Sequence, residues 1–296
     1  MNRLPLGPVL ALMLNALVWG LSWWPLRQLD ALGLHPLWTT ACVFSSVALL
    51  LTLLFPSAWR AFAQHPQLGW LVIASGLTNL GFNWAITTGD VVRVVLLFYL
   101  MPSWSLLLAW WLLDERPSRG ALARLSLSLA GMWLVLHNPD TALPLPQDLA
   151  DYLALAAGCS FAFTNIWLLR LQHTPESARM VAMFGGGALM AVACAVLASF
   201  GGVVPPLNTD VALWWPWVAG LAAAICVGNF ALQYGAARLS AHTTAMVMMS
   251  EIVFASVSSM ALGAAAPTWQ VAVGGGLIVL TALLASQAHA HSPEDH

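Results

Sequence analysis

The sequence contains no lysine and very little charge of either sign. Only 7% of its 296 residues are charged, and all ten basic residues are arginines. A soluble domain usually carries about 25% charged residues, so this chain cannot cover itself with a hydrated surface. We therefore expect a protein of the lipid bilayer. The net charge of -2 excludes the basic face that nucleic-acid binding requires.

Several motifs are also absent. The cysteines share no motif spacing, which excludes a disulfide framework and a zinc site, and we interpret them as small buried hydrophobes. They are Cys42, Cys159, Cys194 and Cys226. The chain has no G-x-x-x-x-G-K-[ST] loop, so it does not hydrolyse ATP itself. It has no H-E-x-x-H or G-x-S-x-G motif, and "TTGD", ending at Asp90, lacks the second intramembrane aspartate of an aspartyl site. We expect no enzymatic activity, no cofactor and no metal site.

Long apolar runs are what the sequence has instead. A spanning helix needs about 20 mostly apolar residues, and ten runs qualify. They lie near residues 8–28, 36–55, 67–88, 91–113, 118–137, 148–170, 178–200, 212–236, 241–263 and 268–287. The first run lacks a small-residue cleavage site and is too long for a signal peptide, so we predict that it spans the membrane. The polar tail, residues 289–296, is predicted to be disordered.

The arginines predict the orientation, because cytoplasmic loops keep the excess of positive charge. With the N-terminus inside, eight arginines fall on the cytoplasmic side, and only Arg27 and Arg93 fall outside. The eight are Arg3, Arg60, Arg116, Arg119, Arg124, Arg170, Arg179 and Arg238. We therefore predict a protein of the bacterial inner (plasma) membrane with both termini in the cytoplasm.

The chain also contains a weak internal repeat. A shift of 150 aligns "LMPSWSLLLAWWLLDERPS" (100–118) with "SEIVFASVSSMALGAAAPT" (250–268). Shifts of 146 and 142 align "NWAITTG" with "NFALQYG" and "WGLS" with "FAFT". We predict two five-helix repeats, residues 1–140 and 148–288. Because five is odd, the second must enter the membrane from the opposite face, as in many secondary transporters.

Several of these segments resemble the drug/metabolite transporter superfamily in its ten-helix EamA-type form. They are "ALVWGLSWW", "FYLMPSWSLLLAWWLLDERPS", "AGMWLVL", "SEIVFASV" and "GGGLIVL". The resemblance implies two inverted five-helix repeats around a central cavity and transport of small metabolites. "VVLLFYLMP" is most similar to the branch of YddG-type exporters of aromatic and other neutral amino acids.

Three positions depart from the family pattern. Glu251 is followed by Ile252 where the family commonly has proline. Ala265 stands opposite Glu115, and Thr281 stands where a glycine is expected opposite Gly131. These departures weaken the symmetry of the second repeat.

Glu251 lies near the middle of the ninth predicted span. An acid at mid-bilayer costs about 2.5–3.5 kcal/mol on insertion scales, so a cavity or a partner must offset that cost. One interpretation is a carboxylate that exchanges protons or binds an amine. The other is a buried acid that hydrogen-bonds to a neighbouring helix and holds the two repeats together.

Other polar or aromatic residues of the spans are candidates to line a substrate cavity, with interhelical packing as the alternative for each. They are Trp19, Ser22, Asn79, Asn83, Tyr99, Met101, Phe161, Thr164, Asn229 and Gln233. Trp19 and Phe161 match under the repeat and could stack a planar side chain. Pro102 is expected to interrupt the fourth span and free a backbone carbonyl. Arg93 could draw a carboxylate substrate or extend to the membrane interface.

The resulting prediction is a secondary transporter that exports small amphipathic metabolites by alternating access. Neutral or aromatic amino acids are the favoured substrates, because the expected cavity is apolar, aromatic and lined by amides. Protons are a possible second partner, and a monomer is plausible. Another metabolite or drug, an intramembrane enzyme and a channel are the alternatives.

Overall fold

The computed structural model describes residues 6–113, 118–137, 145–239, 244, 247–265 and 268–290. It is 82% helix, and the described residues form no strand, so the predicted all-α class is confirmed. The helices are α1 (Leu6–Leu21), α2 (Trp23–Ala31), α3 (Pro36–Leu54), α4 (Ala58–Gln64), α5 (Leu68–Thr88), α6 (Val91–Phe98), α7 (Met101–Leu113), α8 (Arg119–Leu136), α9 (Leu149–Arg170), α10 (Glu176–Phe200), α11 (Val211–Ala236), α12 (Ser250–Ala261) and α13 (Trp269–Ala290).

Within the described part of the chain, seven helical segments are long and apolar enough to cross a membrane. They are Leu6–Ala31, Pro36–Leu54, Val91–Leu108, Arg119–Leu136, Leu149–Arg170, Glu176–Phe200 and Val211–Ala236. Large apolar side chains on these helices point away from the protein, among them Leu197 at 71% exposed and Phe200 at 88%. Such an extensive apolar surface is unfavourable in water but favourable in lipid. The protein is therefore an integral membrane protein.

The other three predicted spans, the third, ninth and tenth, differ from these seven. α5 is 21 residues long but is not among the segments that meet the hydropathy criterion. α12 and the apolar Trp269–Thr281 part of α13 are shorter than a full span. The number of ten crossings thus stays a prediction.

Two details of the predicted links and tail differ from the structure. The segment expected to be a plain link between the second and third spans contains the short helix α4, and α13 continues to Ala290, two residues into the predicted tail. Several residues of the sequence analysis lie outside the described residues. They are Arg3, Glu115, Arg116, residues 138–144 of the central link, most of residues 240–246 and residues 291–296.

Polar side chains cap several helix N-termini and explain where these helices begin. The carboxylates of Asp90 and Asp148 accept hydrogen bonds from backbone N–H groups in the first turns of α6 and α9. The Ser118 hydroxyl does the same for α8. His35 caps α3, where its Nδ1 accepts a hydrogen bond from the Leu37 N–H at 3.2 Å. Each cap satisfies a backbone donor that has no partner within its helix. Asp90, the end of "TTGD", is thus an exposed helix cap.

Glycines allow the helices to pack backbone against backbone. A Cβ at Gly76 of α5 would lie 2.6 Å from the Gly186 carbonyl oxygen of α10. A Cβ at Gly131 of α8 would lie 2.7 Å from the Gly274 carbonyl oxygen of α13, and one at Gly274 would lie 2.6 Å from that of Gly131. Small residues are favoured at such crossings because packing, not the hydrophobic effect, drives helix association in lipid.

Several chain segments meet at one end of the bundle, which we call the Arg93 end. Asn208 donates a hydrogen bond to the Leu32 carbonyl at 3.2 Å, and Arg27 donates one to the Gly89 carbonyl. Arg93 contacts Asp151 at the same end. The segments between α2 and α3, α5 and α6, and α10 and α11 therefore lie at the Arg93 end, together with Gln147 before α9.

Candidate functional site

The helical segment Val91–Leu113 breaks in its middle, at Tyr99 and Leu100. Pro102 lies in the first turn of α7, a position that tolerates proline, so it begins the second helix rather than interrupting one. Because Pro102 has no N–H, the Phe98 carbonyl lacks its usual helical donor. Gly158 of α9 covers this oxygen, and a Cβ there would lie 2.7 Å from it.

The side chain of Tyr99 extends from this break to Glu251 on α12. The Tyr99 hydroxyl donates a hydrogen bond to Glu251 Oε2 at 2.9 Å, and it lies 3.3 Å from the Met248 carbonyl. Both side chains are buried, at 5% and 7% exposed. Glu251 is thus an acid held by one neutral donor, with no arginine paired to it among the described residues.

Aromatic rings fill the space between these helices. Phe98 is at the centre, with its ring centroid 4.8 Å from that of Phe82 and 5.3 Å from that of Phe161. Trp19 packs edge-on against Phe82 at 6.3 Å. Trp19 and Phe161 were predicted either to stack a planar side chain or to pack between helices, and in the structure Phe82 and Phe98 connect their two rings. We call Trp19, Phe82, Phe98, Tyr99 and Phe161 the aromatic cluster.

α1 crosses α12 at the backbone of Glu251. A Cβ at Gly20 would lie 2.9 Å from the Glu251 carbonyl oxygen, so only glycine permits this crossing. One turn away, the Asn15 amide nitrogen lies 3.6 Å from the Met248 sulfur. The Asn15 Oδ1 atom is buried and has no hydrogen-bond partner in the described part of the chain. A buried unpaired acceptor is costly, and this oxygen packs beside Gly228 of α11, where a Cβ would lie 3.3 Å from it.

The four predicted amides behave differently from one another. Asn79 donates to the Ser75 carbonyl of its own helix at 2.8 Å. Asn83 is buried and donates to the Thr40 hydroxyl at 3.2 Å, which joins α5 to α3. Asn229 and Gln233 are half-buried on α11, and their side chains make no hydrogen bond within the described residues. The Asn83 side chain thus joins two helices, whereas a role for Asn229 and Gln233 in lining a cavity stays a prediction.

The other predicted residues, Ser22, Thr164 and Met101, all have partners within the protein. The hydroxyls of Ser22 and Thr164 bond to carbonyls of their own turns, those of Trp19 and Ser160, at 2.7 and 3.0 Å. Met101 is half-buried beside the helix break and packs against the hydrophobic core.

Two cavities lie away from this centre. A cavity of about 500 Å³ opens between α1, α2 and α11, with Ser22, Trp24 and Pro216 among its lining residues. A second, of about 280 Å³, lies beside Arg124 and Leu284. Neither includes Glu251 or the aromatic cluster, whose rings are in contact.

Sequence reasoning missed Phe82, Phe98 and Met248. Each is an apolar residue in an apolar run, so its type and spacing match those of many core residues. Only the position of Phe98, next to the predicted break at Tyr99, Met101 and Pro102, offered a signal.

The chain is thus an all-helical membrane bundle with an acid and an aromatic cluster at its centre. Comparison with known families gives a match to one part of the chain. Residues 6–137 match the model of the EamA-like transporter family. Comparison with curated proteins gives no significant match.

Among solved structures, 15 chains match. One, described only as "Crystal structure of protein", has a TM-score of 0.60 at 15% sequence identity and covers 98% of this chain and 99% of its own. At that identity the likeness shows a common fold over the whole chain, and nothing of the substrate.

Proposed function

We propose that the protein is a secondary transporter of the EamA-like type that moves small amphipathic metabolites across the inner membrane. The match of residues 6–137 to the EamA-like transporter family carries this proposal. In it, residues 1–140 and 148–288 are two inverted repeats, ten spans surround the central site, and both termini are cytoplasmic. Transport is driven by the substrate gradient or by protons.

The contact between α8 and α13 supports the inverted repeat. These are the fifth helices of the two proposed repeats, and Gly131 and Gly274 each pack on the carbonyl oxygen of the other. Reciprocal contacts of this kind are expected where two equivalent elements meet across a two-fold axis. Gly274 is therefore the counterpart of Gly131. Thr281, which the sequence alignment placed there, instead donates to the Leu277 carbonyl of its own helix at 2.9 Å.

The central site supports an amphipathic, neutral substrate. The rings of the aromatic cluster offer apolar contact, and Glu251 and Asn15 offer polar groups near them. Such a combination of apolar walls and a few polar groups is typical of small-molecule sites. Neutral and aromatic amino acids, as in the YddG-type branch, carry both an apolar side chain and an amine that a carboxylate can bind. Export is the proposed direction.

Glu251 is the proposed coupling residue. Its carboxylate links the first repeat to the second through Tyr99 at 2.9 Å. A proton or an amine that reached Glu251 would compete for the same oxygen and would weaken this link. Substrate or proton binding would thereby loosen the closed centre, as alternating access requires.

The test is uptake of labelled phenylalanine and leucine into everted vesicles, with and without a pH gradient. We expect saturable uptake in the native protein and loss of its pH-gradient dependence in Glu251→Gln. Glu176→Gln is the matched control, because Glu176 is an exposed acid at the start of α10. Proton dependence that persists in a well-expressed Glu251→Gln variant would refute the coupling role. If unlabelled amino acids fail to compete, the substrate is another metabolite or drug.

A further inference from the structure

The strongest polar contact of the described chain lies away from the central site, at the Arg93 end. Arg93 on α6 forms a two-point ion pair with Asp151 on α9, with Nε 2.7 Å from Oδ1 and Nη2 2.6 Å from Oδ2. The Arg93 Nη1 also donates to the Val135 carbonyl, at the last turn of α8, at 2.9 Å. The Gln147 N–H donates to Asp151 at 2.9 Å. One ion pair thus joins two helices of the proposed first repeat to the second.

Both partners are held in place by their own backbones. The Arg93 N–H donates to Asp90 and the Asp151 N–H donates to Asp148, each at 2.9 Å. The side chain of Asp151 is 2% exposed and that of Arg93 is 19% exposed. A planar fork on a carboxylate that is fixed and largely shielded from water is much stronger than an exposed ion pair. It is the one ion pair found among the residues that the structure describes.

The ion pair and the aromatic cluster share the same two helices. At 1.5 Å per residue, Phe98 lies about 8 Å along α6 from Arg93, and Phe161 lies about 15 Å along α9 from Asp151. The two helices are in backbone contact between these levels, where Gly158 meets the Phe98 carbonyl. Separation of α6 from α9 would therefore open a route from the Arg93 end to the aromatic cluster.

Two of the repeat shifts place uncharged residues opposite the partners of this ion pair. The shifts of 150 and 142 residues place Thr243 and Val9 opposite Arg93 and Asp151. Thr243 lies outside the described residues, but neither side chain carries a charge.

We propose that Arg93 and Asp151 form a latch that keeps the Arg93 end of the transport pathway closed. This end is the predicted outer side, so the latch biases the resting protein toward a state closed to the outside. The inference rests on the proposed transport function, because it assigns the latch to that pathway.

Accessibility from each side of the membrane tests the latch without a substrate. The four native cysteines are replaced by alanine, and Met101→Cys, beside the helix break, reports access to the centre. A membrane-impermeant maleimide is added outside intact cells, or to everted vesicles for the other side. We expect Arg93→Gln and Asp151→Asn each to raise the outside labelling rate at least tenfold and to lower the inside rate. The exchanged pair Arg93→Asp with Asp151→Arg should restore most of the native pattern.

Trp38→Phe is the control. It removes the hydrogen bond from Trp38 to the Pro205 carbonyl at the same end, 3.1 Å long and uncharged, and we expect the outside rate to stay within about twofold of the native rate. The latch is refuted if Arg93→Gln and Asp151→Asn fold and label like the parent protein, or if Trp38→Phe raises labelling as much as they do.

A cross-link separates this inference from the proposed function and does not depend on the single variants folding. Cysteines at positions 93 and 151 are joined by a short, reducible bifunctional reagent, and uptake of labelled phenylalanine is measured. We expect the cross-link to stop transport and a reductant to restore it. Full transport by the cross-linked protein would refute the latch but leave the proposed transport function in place. Absence of uptake in the native protein would contradict the proposed function instead.

Discussion

Gly158 is the position at which the structure predicts the clearest cost of a single methyl group. A Cβ there would lie 2.7 Å from the Phe98 carbonyl oxygen and 3.3 Å from the Phe98 Cα. Both are backbone atoms, so neither can move aside as a flexible side chain would. Overpacking of this kind costs about 1–3 kcal/mol. Gly158→Ala also gains roughly 1 kcal/mol of helix propensity, which would obscure the cost if the variant were measured alone.

A matched glycine removes that ambiguity. Gly185 lies within α10, and a Cβ there would meet nothing within 4 Å. Gly185→Ala therefore has the same propensity gain without the clash. The difference between the two variants isolates the packing term, so Gly158→Ala should be less stable than Gly185→Ala by about 1–3 kcal/mol. At about 2–4 °C per kcal/mol for a large domain, the midpoints of thermal unfolding should differ by several degrees.

The assay is thermal unfolding of the purified protein in one detergent, at one scan rate, followed by tryptophan fluorescence. Unfolding of membrane proteins is often irreversible, so the midpoints are compared only under identical conditions. Equal midpoints, or a higher one for Gly158→Ala, would show that α9 does not press on the helix break. That result would also remove the backbone contact on which the proposed route between the Arg93 end and the aromatic cluster depends.

Three other contacts give predictions. Tyr99→Phe and Glu251→Leu should each destabilise the protein by about 1–3 kcal/mol, because the first removes the donor and the second the acceptor of a buried hydrogen bond. The double variant should cost less than their sum in the same unfolding assay, whereas simple additivity would mean that the two groups do not interact. Burial lowers the pKa of His35, so the fold disfavours its charged form. Stability should then fall as pH drops below about 6.5, the unfolded value, and His35→Asn, which caps without titrating, should flatten that dependence. A native profile that is flat from pH 8 to 5 would contradict this. Asn83→Ala should cost about 1–3 kcal/mol, while Asn229→Ala should stay within about 0.5 kcal/mol and act on transport, and the reverse order would exchange their roles.

Much of the fold follows from composition and periodicity. A chain with 7% charge and repeated apolar runs has to form helices in lipid, because there every backbone group must be satisfied within the chain. The runs therefore predicted the all-helical membrane protein and most helix positions. They did not predict α4, because a seven-residue helix within a polar link has no periodic signal long enough to recognise.

The central site could be predicted only in part. Glu251 and Tyr99 stand out in the sequence because an acid and a phenol are rare within apolar spans. The sequence alone could not show that they bond to each other across 152 positions of the chain. Asn83 was indistinguishable from Asn229 by residue type, and only the position of Thr40 decided that Asn83 holds two helices together.

The sequence alone was enough to predict that the protein lies in the lipid bilayer and that its fold is all-helical. It also identified the polar residues within the spans, which lipid cannot hydrogen-bond. The tertiary structure decided which of those residues meet each other. Phe82 and Phe98 connect the rings of Trp19 and Phe161. Arg93, which could have extended to the membrane interface, pairs with Asp151. The physical reason is that local patterns fix which face of a helix avoids lipid, whereas contacts between helices depend on close approaches that only the assembled bundle defines.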